Sequence, residues 1–521
     1  MIKKQTKLFL VIFLLLSFLY FFTRLFGLTK LPVFADEAIY LRWSQVIRAV
    51  ESLRFLPLTD GKQPLFMWAV IPFQKIFSDP LWAGRFLSVL AGWGTLLGIF
   101  LSASVLLSWE KITKLPQDFA QLLNPRLFLF TSLVYIFSPF SFFFDRLALA
   151  DNLLSMFGSL ALFLSLLQAR LLRLDLSLLL GLVLGAAWLT KSPAIFFILL
   201  SVSTIIFPNI KLFKKPNPQT LRLLFFVFLS SALAFLVYNI LRLGPQFHMI
   251  ALRNKDYLWT LTEVLRHPLD PLKPHLSDIL TWYQTLLPLP LLLLSLFALF
   301  FASSSLPLLP LLLIFAWWLA PLFSAASLAR VFTARYILYT LPPLLTLATL
   351  GLYQSFKNTS QKKLRLLFLP LILLALFQSS RFFWRFTTNP FIAHLPDTES
   401  GYLETWTSGW GIKESADYLL IRAQENPVVV GTEGSFGTLP DGLQIYVEKV
   451  PHLTVVGLGL DLGPDLPQSL LQAESAGDEA YLLFNKSRFR FSSASSDNLQ
   501  EIFVFPKPDG DALILYRLHS N

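Results

Sequence analysis

The stretch Phe34-Ala35-Asp36-Glu37-Ala38-Ile39-Tyr40 places two adjacent carboxylates just after the first long apolar run of the chain, with Tyr40 close by. A second polar group, Asp145, Arg146 and Asp151, stands in the break DRLALAD between two further apolar runs. Charges of this kind cost about 2.5–3.5 kcal/mol each at a bilayer centre, so these three are expected to line a polar cavity. Lys62, Arg85, Lys191 and Arg335 form the complementary basic set. All four fall in outer loops or near the outer ends of apolar runs, the side that the positive-inside rule leaves poor in cations. A single such cation is often an interfacial, snorkelling side chain, but four on the acid-bearing side point to a bound anion at membrane level. The chemistry that needs this set is glycosyl transfer from a lipid-linked sugar phosphate. The leaving group is a phosphate, whose developing charge calls for Lys or Arg and not for a proton. The acceptor hydroxyl needs one carboxylate base on the opposite face of the sugar, whereas a glycosidase generally needs a pair flanking the bond.

The chain that must position these groups has 521 residues, 55% of them hydrophobic and 14% charged, well below the roughly one quarter charged in soluble globules. Long Leu- and Phe-rich runs, without strand alternation, imply membrane-spanning helices and not an outer-membrane barrel. With no cysteine, disulfides, thiolate metal sites and thiol nucleophiles are excluded. The net charge of +11 hides two opposite parts: residues 381–521 hold ten basic and eighteen acidic side chains, and residues 1–380 hold 33 basic and 14 acidic ones. Basic charge in the membrane part reports topology. No stripe of Lys and Arg with interleaved aromatics lies outside the apolar runs, so nucleic acid is not an expected partner.

Lys3, Lys4 and Lys7 precede an apolar run from Leu8 to Phe22 that continues past Arg24 to Leu28. It reads as a retained helix with a cytoplasmic N-terminus. Residues 38–55 are amphipathic and suit a helix in the interface plane, and 62–77 is too short to span, hence interfacial or re-entrant. Further spans are expected at 80–107, 126–141, 152–169, 175–190, 193–208, 220–243, 279–301, 306–324, 334–353 and 364–380. That makes about eleven and puts the C-terminus outside. The loops agree: Lys111, Lys114, Arg126, Arg170, Arg173, Lys211, Lys214, Lys215 and Lys357 fall inside, while of the acids only Glu110, Asp118 and Asp175 do. From residue 381 onward, short β-type runs at 428–431, 454–457, 481–484, 502–505 and 513–516 alternate with helical patterns at 411–424 and 441–449, an extracytoplasmic α/β domain. The domains are thus 1–380, with a first external loop at 28–80, and 381–521. Gly431, Gly434 and Gly437 read as a turn, since the helix and acidic partner of a dinucleotide site are missing.

The order DEAIY, KQPLF, AGRFLSVLAG, DRLALADNLL, GLVLGAAWLTKSP and ARYILYTLPP resembles the membrane-integral GT-C glycosyltransferases of the protein O-mannosyltransferase and lipid A aminoarabinose transferase superfamily. These six blocks cover most of residues 36–343 in the family's order. The resemblance implies a polytopic α-helical cell-envelope enzyme of the inner (plasma) membrane with a polyprenyl-phosphate-sugar donor and an inverting, extracytoplasmic transfer of a hexose or pentose. It makes Asp36 the catalytic carboxylate, Glu37 its neighbour in the acidic motif and Asp151 a second acid facing the cavity. Lys62, Arg85, Arg335 and Tyr336 then contact the donor phosphate, with Lys191 in the same basic set. The acceptor, whether protein, lipid or glycan, is not readable. No cofactor is assigned, a divalent cation (Mg or Mn) being left open because metal use varies across these enzymes. The family usually has Pro where Gln63 stands, often Pro near Leu87, and Gly where Ser192 stands; these departures loosen geometry without removing charge. The alternative is a transporter or flippase of lipid-linked sugars, against which stand the absence of repeated halves and the gathering of charge at one face instead of the midplane. A non-catalytic receptor or scaffold is a third reading, which retention of both acids and all four cations opposes.

Overall fold

A computed structural model of the protein describes residues 2–109, 111–112, 119–206, 218–302, 306, 308–357, 362–460, 465–492 and 498–519. Glu110, Lys114, Asp118, Lys211, Lys214 and Lys215, together with residues 207–208 and 307 of the expected spans, lie outside them. Where they are described, the expected spans are helical except for breaks at 137–138 and 287–288 and at Leu306. Among the described residues six helices are long and apolar enough to cross a membrane: Thr6–Leu25, Pro80–Leu107, Ala150–Leu171, Pro218–Leu243, Leu308–Leu328 and Ala334–Lys357. Leu269–Leu286 and Leu289–Phe297 form a seventh if the two, bent by 105°, count as one span. Pro125–Ile136, Leu174–Thr190 and Ser192–Ile205 are apolar but shorter. Length and composition therefore support a multi-pass membrane protein with six or seven such helices, and eleven remains an expectation from loop charge. Leu65–Ile76 has twelve residues, which at 1.5 Å each make about 18 Å, too short for a bilayer core.

The chain packs as two compact units. One comprises Met1–Phe26, Arg54–Phe66 and Phe86–Phe383 and contains most of the apolar helices. Because lipid tails are as apolar as Leu, its helices associate through close packing and hydrogen bonds. Gly181 and Gly185, one turn apart, show how: a Cβ at Gly181 would sit 2.9 Å from the Ser230 carbonyl, and one at Gly185 would press on the Val237 side chain. The Pro218–Tyr238 helix thereby lies tight against Leu174–Thr190, and the Ser230 hydroxyl donates to the Ser177 carbonyl at 3.0 Å.

The other unit comprises Gly27–Leu53, Met67–Arg85 and Trp384–Asn521. Its centre is a five-stranded sheet of β1 (Val428–Thr432), β2 (Leu453–Gly457), β3 (Glu479–Asn485), β4 (Leu499–Pro506) and β5 (Ala512–Leu518), in the order β2-β1-β3-β5-β4. All five lie within three residues of the runs read from the sequence. β1 pairs in parallel with β2 and β3, while β5 runs antiparallel to both β3 and β4. The parallel part needs crossovers. They are made by the Asp441–Val447 and Gln468–Ser475 helices, the second of which the sequence pattern does not announce. Gly434 and Gly437 have φ of 78° and 116°, a turn that a side chain at either position would strain. β3 is buried along its whole length, and the core gathers Leu470, Leu482, Phe484, Ile514 and Tyr516.

The fold draws the first external segment into this second unit. Backbone bonds from Ala35 to the Thr407 carbonyl (3.1 Å) and from Gly409 to the Val33 carbonyl (2.8 Å) tie residues 33–35 to 407–409. The Ala35–Ala49 helix then lies along Asp441–Val447. Arg42, Gln45 and Arg48, three apart and hence on one face, meet Gln444 (3.1 Å), the Ile445 carbonyl (2.8 Å) and Glu448 (2.6 Å). Of the polar stripe that suggested an interfacial helix, Arg42 and Arg48 thus meet protein, while Glu51 and Arg54 lie beyond the helix and are exposed.

At the start of β3, Glu479 accepts from Arg422 (3.0 Å), Tyr481 (2.6 Å) and Asn426 (3.1 Å), and Arg517 stands 3.5 Å away. The Arg422 hydrogen bonds above all, then Tyr481 and Asn426, lower its carboxyl to about 2. A depressed carboxyl stabilises the fold above its unfolded value of about 4.3 and loses that contribution as pH falls toward 2. Glu479→Gln is therefore expected to melt below wild type at pH 5.5, with the gap closing toward pH 2.5. Melting curves of the intact protein in detergent across that range check this, and a gap independent of pH would contradict it.

Candidate functional site

The acidic motif opens the Ala35–Ala49 helix in the second unit. Asp36 and Glu37 sit in its first turn, where the unpaired backbone N–H groups favour negative charge. Their environments differ. Asp36 is half-buried, whereas Glu37 is fully buried and meets Arg85, itself fully buried, in a two-pronged pair: Nε to Oε1 at 2.8 Å and Nη2 to Oε2 at 2.7 Å. Arg85 Nη1 donates to the Leu28 and Leu31 carbonyls (2.8 and 3.0 Å) and Nη2 to the Pro32 carbonyl (2.9 Å). All five N–H donors of the guanidinium are engaged, and Glu37 Oε2 also accepts from the Phe34 N–H at 3.0 Å. Arg85, expected among the phosphate ligands, is therefore spent on the turn that carries the acidic motif. Tyr40, one helical turn after Asp36, is buried.

In the first unit a break in the apolar helices assembles a basic cluster. The Leu174–Thr190 helix stops at Lys191, whose backbone is extended (φ −163°, ψ 146°) before the Ser192–Ala194 turn that contains Pro193. Extended backbone before a proline turn points Lys191 away from the helix axis. Its Nζ donates to Asp151 Oδ1 at 2.6 Å and lies 4.4 Å from the centre of the Tyr336 ring. The Arg335 guanidinium carbon is 5.1 Å from the same ring, so Tyr336 backs both cations with its electron-rich face. Asp151, in the first turn of Ala150–Leu171, is 2% exposed, and its Oδ2 has no hydrogen-bond partner.

The loop bearing Lys62 reaches this break through its neighbour, since Gln63 donates to Ser192 Oγ at 2.7 Å. Two of the three positions that depart from the family pattern thus bond to each other. Lys62 faces Asp60 Oδ2 at 3.3 Å, and Arg253 Nε donates to Asp60 Oδ1 at 2.9 Å. Between them Gly61 has φ +68°, and a Cβ there would lie 2.8 Å from the Met249 carbonyl. Arg253 was not in the sequence-derived set; its only signal was a cation in the outer 244–260 segment.

Asp145 and Arg146 form a separate buried knot. Asp145 accepts from Tyr20 (3.0 Å) and Tyr135 (3.1 Å) and faces Arg24 at 3.5 Å. Arg24 Nη1 donates to the Ile136 carbonyl at 2.8 Å, and Arg146 Nη1 to the carbonyls of Thr23, Arg24 and Phe26 at 3.3, 3.1 and 2.8 Å. Two arginines thereby satisfy carbonyls left open where the Ile2–Leu25 and Pro125–Ile136 helices end. Arg24 and the two tyrosines were invisible as partners in the sequence because they are more than a hundred residues from Asp145 or sit inside apolar runs.

Among the described residues no group of three or more His, Asp or Glu side chains is placed to hold a metal ion.

No family model and no curated protein matches the sequence. Solved structures do match. ArnT from Cupriavidus metallidurans in the apo state superposes with a TM-score of 0.56 at 16% identity, covering 97% of each chain. The same protein bound to undecaprenyl phosphate gives 0.55 at 15% identity, again over 97% of each chain. The Archaeoglobus fulgidus oligosaccharyltransferase in complex with Zn and sulfate is similar at a TM-score of 0.47 and 12% identity, over 96% of this chain and 72% of that one. Over nearly its whole length the chain has the fold of ArnT, the GT-C membrane fold that the order of its motifs implied.

Proposed function

We propose that the protein moves a sugar, with inversion, from a polyprenyl-phosphate-linked donor to an acceptor at the extracytoplasmic face of the inner membrane. The observation that carries this reading is the cluster of Asp151, Lys191, Tyr336 and Arg335 at a helix break, in a chain with the fold of a protein solved with undecaprenyl phosphate bound. Lys191, Arg335 and Lys62 hold the donor phosphate. An ammonium has three donors, and Lys191 gives one to Asp151, leaving two for phosphate oxygens. As the bond from the anomeric carbon to the phosphate oxygen breaks, charge grows on the phosphate and these cations stabilise it without delivering a proton.

Asp36 takes the proton of the acceptor hydroxyl as its oxygen attacks the anomeric carbon from the face opposite the phosphate. Attack from that side inverts the configuration. Glu37 and Arg85 position the Asp36 helix, and Asp151 orients Lys191. Asp145 and Arg146 brace the helix ends beside the cluster. The N-terminus is cytoplasmic and residues 381–521 lie outside, as the loop charges demand.

Transfer of radiolabelled sugar from synthetic polyprenyl-phosphate donors by nanodisc-embedded protein, with membrane extract as acceptor, tests the reading. Asp36→Asn is expected to lose about 10²- to 10⁴-fold in rate with its melting temperature unchanged, and Lys191→Met to weaken donor binding. Wild type that shuttles the lipid between leaflets and transfers no label would establish the flippase instead. A second prediction concerns the buried pair. Arg85→Met leaves Glu37 buried and unpaired, at a cost of about 3–5 kcal/mol. The double variant Arg85→Met/Glu37→Met recovers part of that loss in thermal unfolding, and a double variant no more stable than Arg85→Met would refute the pairing argument.

A further inference from the structure

The second unit contains a cavity of about 320 Å³ bordered by the acid-bearing helix, the turn after Leu65–Ile76, and the Ile412–Arg422 and Asp441–Val447 helices. Its size falls at the lower end of small-ligand sites. Around it Arg48 pairs with Glu448 at 2.6 Å and Lys413 with Asp417 at 3.0 Å, and Lys449 and Asp79 add one charge of each sign. Asp79 caps the following helix, accepting from the Leu81 and Trp82 backbone at 2.9 and 3.0 Å. Such a lining offers no net charge to an anion or a cation, but it presents many fixed hydrogen-bonding groups.

One of those groups is incomplete. Gln74, which lines the cavity and is 7% exposed, donates through Nε2 to Ser44 Oγ at 2.7 Å and to the Leu41 carbonyl at 3.3 Å, and these bonds fix its amide. Its Oε1 has no partner and is closed off from solvent, which leaves an acceptor unmatched at the cavity wall. Phe77 and Tyr446 add aromatic surface to the same cavity. A ligand that complements paired charges, an unmatched acceptor and aromatic surface is neutral, rich in hydroxyl donors and has apolar C–H faces.

We infer that this cavity binds a neutral sugar unit of a glycan chain. Gln45 and Arg48, which line it, stand on the helix that begins with Asp36. Twelve residues separate Asp36 from Arg48, about 18 Å along the helix, a span that a short oligosaccharide covers. The inference rests on the transferase reading in one respect, that the glycan is the acceptor; its binding stands without it.

Saturation-transfer NMR on the full-length protein in nanodiscs, with maltose, cellobiose and mannobiose as probes and no donor lipid, tests the cavity. At least one disaccharide is expected to receive saturation from wild type. The signal disappears in Ser78→Trp, which fills the cavity from an exposed position, and affinity falls at least tenfold in Gln74→Leu. Ser78→Trp keeps the wild-type melting temperature and undecaprenyl phosphate binding, so it decides the matter even if Gln74→Leu folds poorly. No transfer to any of the three, or equal transfer in Ser78→Trp, overturns the proposal. Loss of undecaprenyl phosphate binding by wild type with disaccharide binding intact would count against the transferase and leave the glycan site standing.

Discussion

A carboxylate and a guanidinium, both sealed from solvent, hold the first external segment in shape. Glu37 and Arg85 meet through two parallel hydrogen bonds, and the remaining Arg85 donors collect three carbonyls from residues 28–32. Burying an ion pair is tolerable only when its leftover donors and acceptors are also satisfied. Here they are, so the pair sets the path of the chain from Leu28 to the helix that begins at Ala35. Asp36 occupies the next position to this anchored residue, and its half-buried place follows from where Glu37 is pinned.

The same rule of compensation runs through the membrane unit. Asp145 is matched by Arg24 and two tyrosines, Asp151 by Lys191, and Asp60 by Lys62 and Arg253. At two helix ends Arg24 and Arg146 take up terminal carbonyls, and Lys191 uses its own break to face Asp151. Charge in an apolar setting is costly alone and cheap when paired, so the polar groups gather in clusters and not singly. Lys191 gives one donor to Asp151 and has others to spare, whereas the donors of Arg85 are all engaged and bind it into the fold.

The second unit includes the frame of the acidic motif. Its backbone pairs with residues 33–35 and its Asp441–Val447 helix accepts the polar face of the acid-bearing helix. The small α/β sheet is thereby part of the frame that holds the acidic motif. Chain segments 27–53 and 67–85 pack with a domain formed from the last quarter of the sequence.

The membrane class, the helices, the five strands and most of the chemically competent side chains were legible in the sequence, because apolar runs, β-type runs and charged residues near them are local signals. Motif order implied the GT-C fold that the structural likeness to ArnT shows. What the sequence could not determine was partnership. Arg85 looked like any other outer-face cation; only the tertiary structure shows its donors engaged by Glu37 and three carbonyls, because hydrogen bonds across 48 residues leave no periodic trace. Arg24, Tyr20 and Tyr135 lay hidden in apolar runs, and Arg253 in an unremarkable loop. The amphipathic pattern of residues 38–55 was read as facing a membrane interface, and the fold gave Arg42, Gln45 and Arg48 partners in Gln444, Ile445 and Glu448. Hydropathy says that a polar face needs polar surroundings; whether water, lipid headgroups or protein supplies them depends on contacts some 400 residues apart, which only folding decides.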